Sequence, residues 1–313
     1  MKPIIWSPSR ISLASQCLKA YFYNYLSKEK FPTNGEFAAG VLLHRKMEKF
    51  YKEDRTPKYK SPESFANASM AQWQRFNINT GKSRGQPIRW RSENHPYILK
   101  HMIGEACKTV YPAYANQQPP IETEFSFEFC FGNRFYRGSI DEIRNNATIR
   151  DHKSDGFERP QTSLDNDIQF TNYALAISQY LYADKKLRKK VNISKELKEE
   201  IKNKEKIILP IGIEIHYLRT GNIKTTTRND SHYYELTEII DELEEQIRRR
   251  NFKRNLGKHC DFCLFNEACA RDTKQSNITI PENPQLQLFA TSEPKPKNIK
   301  QLRLSFPRKS KKV

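Results

Sequence analysis

Residues 121–153 constrain this chain most. Ile121 to Phe131 (IETEFSFEFCF) alternates apolar and polar residues strictly, the period of a half-buried strand. Tyr136 to Ile143 (YRGSIDEI) and Ala147 to His152 (ATIRDH) alternate more roughly, and Asn145-Asn146 between them can supply the positive φ angles of a tight turn. The pattern predicts a core strand followed by a β-hairpin. The hairpin sets Asp141 and Asp151 close together on neighbouring strands. Two facing carboxylates repel unless a cation lies between them, and a hard divalent ion such as Mg²⁺ takes oxygens from carboxylates, water and phosphate. Lys153 follows Asp151 by two residues and shares its strand face. An ammonium there can neutralise charge on a phosphate or help position an attacking water. Glu124 is within reach of such a site, but the alternation groups it with Glu122 and Glu128 toward solvent.

An Asp-x-Lys alone also occurs on many solvated strands, so the flanking segments decide its weight. Upstream, Ser7 to Ser27 reads as one helix capped by Ser7 or Ser9, with Ile11, Ala14, Leu18, Tyr21 and Tyr25 at helical spacing and Cys17 inside it. A second helix, about Glu36 to Lys52, carries His44 and Glu48 on one face; a histidine so placed is either a packed or surface residue or a ligand. Residues 54–119 read as an irregular helical insertion. Its basic run from Lys82 to Arg91 either meets a nucleic-acid backbone or is merely solvated. Gly81-Lys82-Ser83 is similar to the end of a phosphate-binding loop, but Phe76 stands where that loop needs glycine, which excludes an ATPase.

Downstream, a helix from Asp165 to Ala183 places Gln169 and Tyr173 on one face. Lys185 to Lys206 reads as a solvated excursion, Ile207 to Leu218 as a buried strand and Thr225 to Thr227 as its partner. The helix Ser231 to Arg250 has a stripe of Leu236, Ile239, Ile240, Leu243 and Ile247, with acids early and arginines at its end, matching the helix dipole.

Gly-x-x-Asp141, then Asp151-x-Lys153, then Gln169-x-x-x-Tyr173 on the following helix resembles the PD-(D/E)XK nuclease superfamily, in particular its RecB-like branch. Gly40-Val-Leu-Leu-His44 is similar to that branch's G-x-x-x-H helix. The resemblance implies an α/β restriction-endonuclease-like core, a mixed central sheet flanked by helices. It makes Asp141 the first metal-binding acid, Asp151 the second and Lys153 the catalytic lysine. Gln169 with Tyr173 becomes the substrate-side motif, His44 a further metal ligand and the backbone carbonyl of His152 another, around Mg²⁺ or Mn²⁺.

Cys260-x-x-Cys263-x5-Cys269 offers three thiols that need a fourth ligand, and Cys17 is available. MKPIIWSPSR lacks the apolar segment of a secretory signal and no apolar run approaches the roughly 20 residues of a membrane span. These features place the protein in the cytosol of a prokaryotic cell or infected host, where clustered thiols point to metal rather than disulfides. RecB-like relatives of this kind hold a four-iron, four-sulfur cluster with such a set, so the resemblance implies one here. The Pro that often follows the N-terminal cysteine is Leu18 in this chain. A tetrahedral zinc site stays open, with His259 as a replacement ligand. Cys107 and Cys130 match no motif and read as buried apolar residues.

The net charge is +18 over 313 residues. Residues 291–313 carry eight Lys or Arg against one Glu, which leaves +11 for residues 1–290. The folded part is basic in its own right, as a polyanionic partner such as DNA requires. From Arg271 the composition turns to Pro, Lys, Ser and Asn, so residues 1–270 read as the nuclease domain and 271–313 as a disordered basic tail. Within the tail, Gln285-Leu-Gln-Leu-Phe289 resembles the peptide that docks on the bacterial sliding clamp, and Gln301-Leu-Arg-Leu-Ser-Phe306 its six-residue variant; a tail that simply holds DNA is the alternative. The function expected is a DNA exonuclease that processes ends in recombination, repair or viral replication. A structure-specific endonuclease and a catalytically silent DNA-binding subunit are the alternatives.

Overall fold

The computed structural model describes residues 4–274 and the dipeptide Leu302–Arg303. A short strand, β1 (Ile5–Trp6), precedes α1 (Pro8–Gln16), whose start is set by the Ser7 hydroxyl accepting from the Arg10 N–H, with Pro8 in the first turn. The single helix expected to Ser27 is broken. Cys17 takes extended backbone (φ −163°, ψ 111°), and the helix restarts as α2 (Leu18–Tyr21) and a π-type turn over Phe22–Leu26. No Gly or Pro marks this break. It is held from outside, by the Lys19 N–H donating to the Lys253 carbonyl at 3.2 Å.

After β2 (Thr33–Asn34), α3 (Gly35–Glu48) is capped by the Asn34 side chain. The segment read as irregular is instead well ordered, with α4 (Pro62–Trp73), the strands β3 (Lys82–Ser83) and β4 (Gln86–Arg89), and the 22-residue α5 (His95–Asn116). β2, β3 and β4 form a small sheet. α3, α4 and α5 pack Leu42, Leu43, Phe50, Phe65, Trp73 and Ile103 into a core of their own, which includes Cys107 and Leu218.

The main sheet begins with β5 (Glu122–Phe131), β6 (Arg134–Ile143) and β7 (Ile149–Lys153). The β6–β7 turn puts Asn146 and Ala147, rather than Asn145, at positive φ (56° and 57°). The crossover from β7 runs through α6 (Gln161–Asp165), α7 (Ile168–Ala183), α8 (Lys185–Lys190) and α9 (Lys195–Asn203), and returns as β8 (Ile213–Tyr217) parallel to β7. The helix expected from Asp165 begins at Ile168, where the Asp167 side chain caps it. Of the strand expected over Ile207–Leu218 only β8 pairs, while Ile208, Leu209 and Ile211 are buried without strand pairing.

The lysine-rich 185–206 is no solvated excursion. Leu187, Val191, Leu197 and Ile201 recur near helical spacing and are buried in the main core, and the lysines cover the outer face. The sheet closes with β9 (Ile223–Thr226), and α10 (Asp230–Arg248) turns Leu236, Ile240, Leu243 and Ile247 to the same core. The last helix, α11 (Asn266–Lys274), extends past the boundary expected at 270. Gln285–Phe289 lies outside the described residues. Of Gln301–Phe306 only Leu302–Arg303 is described, as β10 pairing parallel with Phe129 and Cys130 of β5. The strand order is β10-β5-β6-β7-β8-β9, with β1 beside β6, so the sheet is mixed and helices flank it. None of the described helices is long and apolar enough to cross a membrane.

Candidate functional site

The hairpin ladder between β6 and β7 holds two pairs, Glu142 with Arg150 and Ile143 with Ile149, and then the strands part. Asp141 and Asp151 come next in register, at the mouth of the opening. Asp141 spans the gap, its Oδ2 accepting the His152 N–H at 2.7 Å. Its Oδ1 stands 3.2 Å from His44 Nδ1 on α3. α3 can come this close because Gly40, one turn before His44, lies against Ser154, and a Cβ there would stand 2.9 Å from the Ser154 Oγ.

Asp151 is turned the other way. Its Oδ1 accepts from Gln169 Nε2 at 2.8 Å and its Oδ2 pairs with Lys153 Nζ at 2.8 Å. Lys153 Nζ also donates to Gln169 Oε1 at 2.9 Å, and Gln169 Nε2 donates to the Tyr173 hydroxyl at 2.9 Å. One amide therefore bridges the acid, the ammonium and the phenol. The four-residue spacing on α7 brings Gln169 and Tyr173 together.

Glu124 does not face solvent with its neighbours. The β5–β6 ladder runs regularly except at Glu124 and Asp141, the one opposed pair it skips, and Glu124 sits at φ +48°. The register sets Glu124 opposite Asp141, and ligand atoms of His44, Glu124 and Asp141 lie within 4.8 Å of one another. Ser139 Oγ donates to Glu124 Oε2 at 3.1 Å. Glu122 and Glu128 instead meet Lys190 and Arg137.

Charge shapes each group. Burial works against ionising Asp141, but the His44 ring and the His152 N–H outweigh it and hold the carboxyl below its usual range. For Asp151, burial and the Asp141 charge outweigh Lys153 and push it up. Burial, with Asp141 beside it, raises Glu124 as well. Lys153, although buried, is raised by Asp151, and His44, although buried, is raised by Asp141. Behind the site, buried Glu142 accepts from the Tyr114 hydroxyl and from Arg144 Nη1 (2.9 Å) and stands 3.2 Å from His152 Nε2. These partners overcome its burial, hold it ionised and tie α5 to both hairpin strands.

Cys17, Cys263 and Cys269 pack with Tyr23, Phe31 and Phe265 in a small third cluster between α2 and α11. The Cys263 thiol is pushed up by burial and by Cys17, Cys260 and Cys269 around it, and none of the four is in a disulfide. Asn255 Nδ2 donates to the Gln16 carbonyl at 2.9 Å, and the Tyr23 hydroxyl donates to Asp272 Oδ2 at 2.5 Å, so the two chain ends are joined here. The His259 ring meets the Asn255 carbonyl at 2.8 Å. Cys107 is buried as expected, whereas Cys130 on β5 is only half-buried.

The model of the PD-(D/E)XK nuclease superfamily matches residues 5–270. The chain belongs to that superfamily. No curated protein sequence matches it. Membership of the superfamily implies a metal-dependent nuclease, a phosphodiester hydrolase with DNA as substrate, and divalent ions such as Mg²⁺ or Mn²⁺ as its cofactor. The donors present fit such an ion: two carboxylates and an imidazole converge within 4.8 Å, and a hard cation would relieve the repulsion between Glu124 and Asp141. Glu124, grouped with Glu122 and Glu128 toward solvent on the sequence pattern, joins the site because the β5–β6 register sets it opposite Asp141.

Proposed function

We propose that this superfamily member is a deoxyribonuclease of the RecB-like branch that resects DNA ends as an exonuclease in recombination, repair or viral replication. One juxtaposition carries the reading: the Asp151–Lys153–Gln169–Tyr173 chain stands directly beside the His44–Glu124–Asp141 triad. Asp141, Glu124 and His44, with Asp151 and the His152 carbonyl, would hold the divalent ion. Bound there, Mg²⁺ or Mn²⁺ supplies Lewis acidity toward a phosphate oxygen and acidifies a water. Lys153 supplies fixed positive charge where negative charge grows on the phosphate, and needs no reorganisation because Asp151 and Gln169 already orient it. Gln169 keeps Asp151 in one position, and Tyr173 keeps Gln169 in one position. End-labelled linear DNA and covalently closed circles, incubated with Mn²⁺, test the proposal: linear DNA should be degraded from its ends and circles left intact. Opening of the circles would decide for the endonuclease, and binding of both without cleavage would decide for the silent subunit.

Cys17, Cys260, Cys263 and Cys269 are proposed to hold a four-iron, four-sulfur cluster that fastens the chain ends of a cytoplasmic enzyme. The packing of Cys17, Cys263 and Cys269 in one cluster between α2 and α11 supports this. The tail beyond α11 is proposed to tether the nuclease to a bacterial sliding clamp through Gln285–Phe289 and Gln301–Phe306, with two leucines and a ring as anchors, which would raise its processivity. A peptide of residues 281–308 should bind clamp in calorimetry and lose binding when Leu288→Ala and Phe289→Ala are combined. Absence of heat at high micromolar peptide would remove the tether and leave the nuclease untouched.

A further inference from the structure

But for β10, β5 would be an edge of the main sheet, and its sequence suits an edge badly. Phe125, Phe127, Phe129 and Phe131 alternate along it, and it carries neither Lys nor Pro, the residues that commonly keep an edge from pairing with other chains. Such a strand left uncovered invites aggregation. Its outward groups can be followed one by one. In an antiparallel ladder, residues whose N–H and C=O face the partner strand alternate with residues whose groups face away. Glu128 faces away from β6: its N–H donates to the Tyr180 hydroxyl at 3.2 Å, and its carbonyl accepts from that hydroxyl at 3.3 Å, so α7 caps the edge there. Cys130, two residues on, faces away as well, and Leu302–Arg303 pairs with Phe129 and Cys130. The strand then ends at Phe131, before the turn at Gly132 and Asn133 (φ 58° and 66°). Beside that turn the Tyr233 ring lies 5.3 Å from Phe131 and 5.5 Å from the exposed Tyr234.

We infer that the stretch of β5 from Phe129 to this turn is the docking edge for residues 301–306 of the chain's own tail. Leu302, Leu304 and Phe306 alternate, so an extended strand carries all three on one face. The register sets Leu302 opposite Phe129, a residue of the main core. Continued by two and four residues, it takes Leu304 to Phe131 and Phe306 to the tyrosines beside the turn. Backbone bonds at Cys130 supply affinity and the alternate side chains specificity, as when an extended peptide adds to a sheet edge. Reach is ample, because residues 275–301 can extend to roughly 90 Å, about twice the width of a domain of this size. The inference rests on the tether reading and adds a constraint to it. The two leucines and the ring that would anchor the clamp are those that sit on β5, so Gln301–Phe306 serves one partner at a time. Gln285–Phe289 is left to make the first contact with the clamp.

Amide hydrogen exchange of the full chain, corrected for intrinsic rates, tests the docking. Residues 302–304 should exchange at least about ten-fold more slowly than 285–289 of the same tail, which corresponds to docking about nine-tenths of the time. Cys130→Pro removes an N–H that faces away from β6, a place where an edge strand tolerates proline, and should erase the protection at the parent melting temperature. Leu302→Asp reads the same contact from the tail and alters nothing in the domain itself; it should speed exchange of the Cys130 amide by about ten-fold. Clamp binding by the full chain should tighten up to about ten-fold in Cys130→Pro, because the second motif no longer has to be released. Equal exchange in the two motifs, protection that survives both substitutions, or a clamp affinity that Cys130→Pro leaves unchanged would overturn the inference. So would exchange that quickens on dilution, since the tail on β5 would then belong to a second copy. Protection that both substitutions remove, in a chain that binds no clamp, would uphold the docking and overturn the tether reading instead.

Discussion

Asp141→Asn is expected to lower the single-turnover cleavage rate on the order of 10³-fold, the equivalent of about 4 kcal/mol of transition-state stabilisation. The amide oxygen still accepts the His152 N–H, so the β6–β7 opening keeps its shape and the melting temperature should hold. What is lost is the negative charge that faces His44 and Glu124. Asp151→Asn should be equally slow and also less stable. Lys153, buried with its ammonium against Asp151, would keep only the neutral Gln169 oxygen, and breaking a buried pair costs about 3–5 kcal/mol. Lys153→Ala removes the largest influence that opposes burial at Asp151, so the carboxyl rises further. Glu124→Gln is the discriminating variant: metal binding should weaken about 10–100-fold with DNA binding unchanged. A rate within ten-fold of the parent in Asp141→Asn at saturating Mn²⁺ would sink the site.

Cys17→Ser should cost solubility and activity together. Cys17 and Cys260 lie more than two hundred residues apart, and a link closing so long a loop removes much chain entropy from the unfolded state. The backbone at Cys17 is extended and the helix restart leans on Lys253, so the segment has little local stability to fall back on. Anaerobically purified parent protein should be brown, with iron and sulfide in stoichiometric amounts and thiolate-to-iron absorption in the visible. Colourless protein with one zinc would decide for the tetrahedral ion. Cys17→Ser protein that keeps its metal and melts like the parent would remove Cys17 from the ligand set.

How far the candidate site could be read from sequence follows from what each residue depends on. The opposition of Asp141 and Asp151 needs only a short hairpin and its register, and Lys153 needs only the two-residue period of a strand. Gln169 and Tyr173 need one helical turn. Those are local rules, and the mixed sheet with flanking helices follows from the same periodicities. Glu124 depends on the register between β5 and β6, which nothing in IETEFSFEFCF fixes. The break at Cys17 depends on a hydrogen bond from a residue far along the chain. In 185–206 the density of lysine hid a sparse apolar stripe, and in 54–119 a shared core ordered what composition made look irregular.

His44 and Asp141 are owned by different cores. α3 buries its apolar face with α4 and α5, whereas the Asp141 strand belongs to the sheet and α7. An ion held between the two residues is therefore a rivet through a seam, and by reciprocity the seam's stability sets the ion's affinity. Substitutions in the α4–α5 core, far from any carboxylate, would then reach the chemistry by loosening the grip on the imidazole. The helical layer is a thermodynamic partner of the metal as well as one wall of the site.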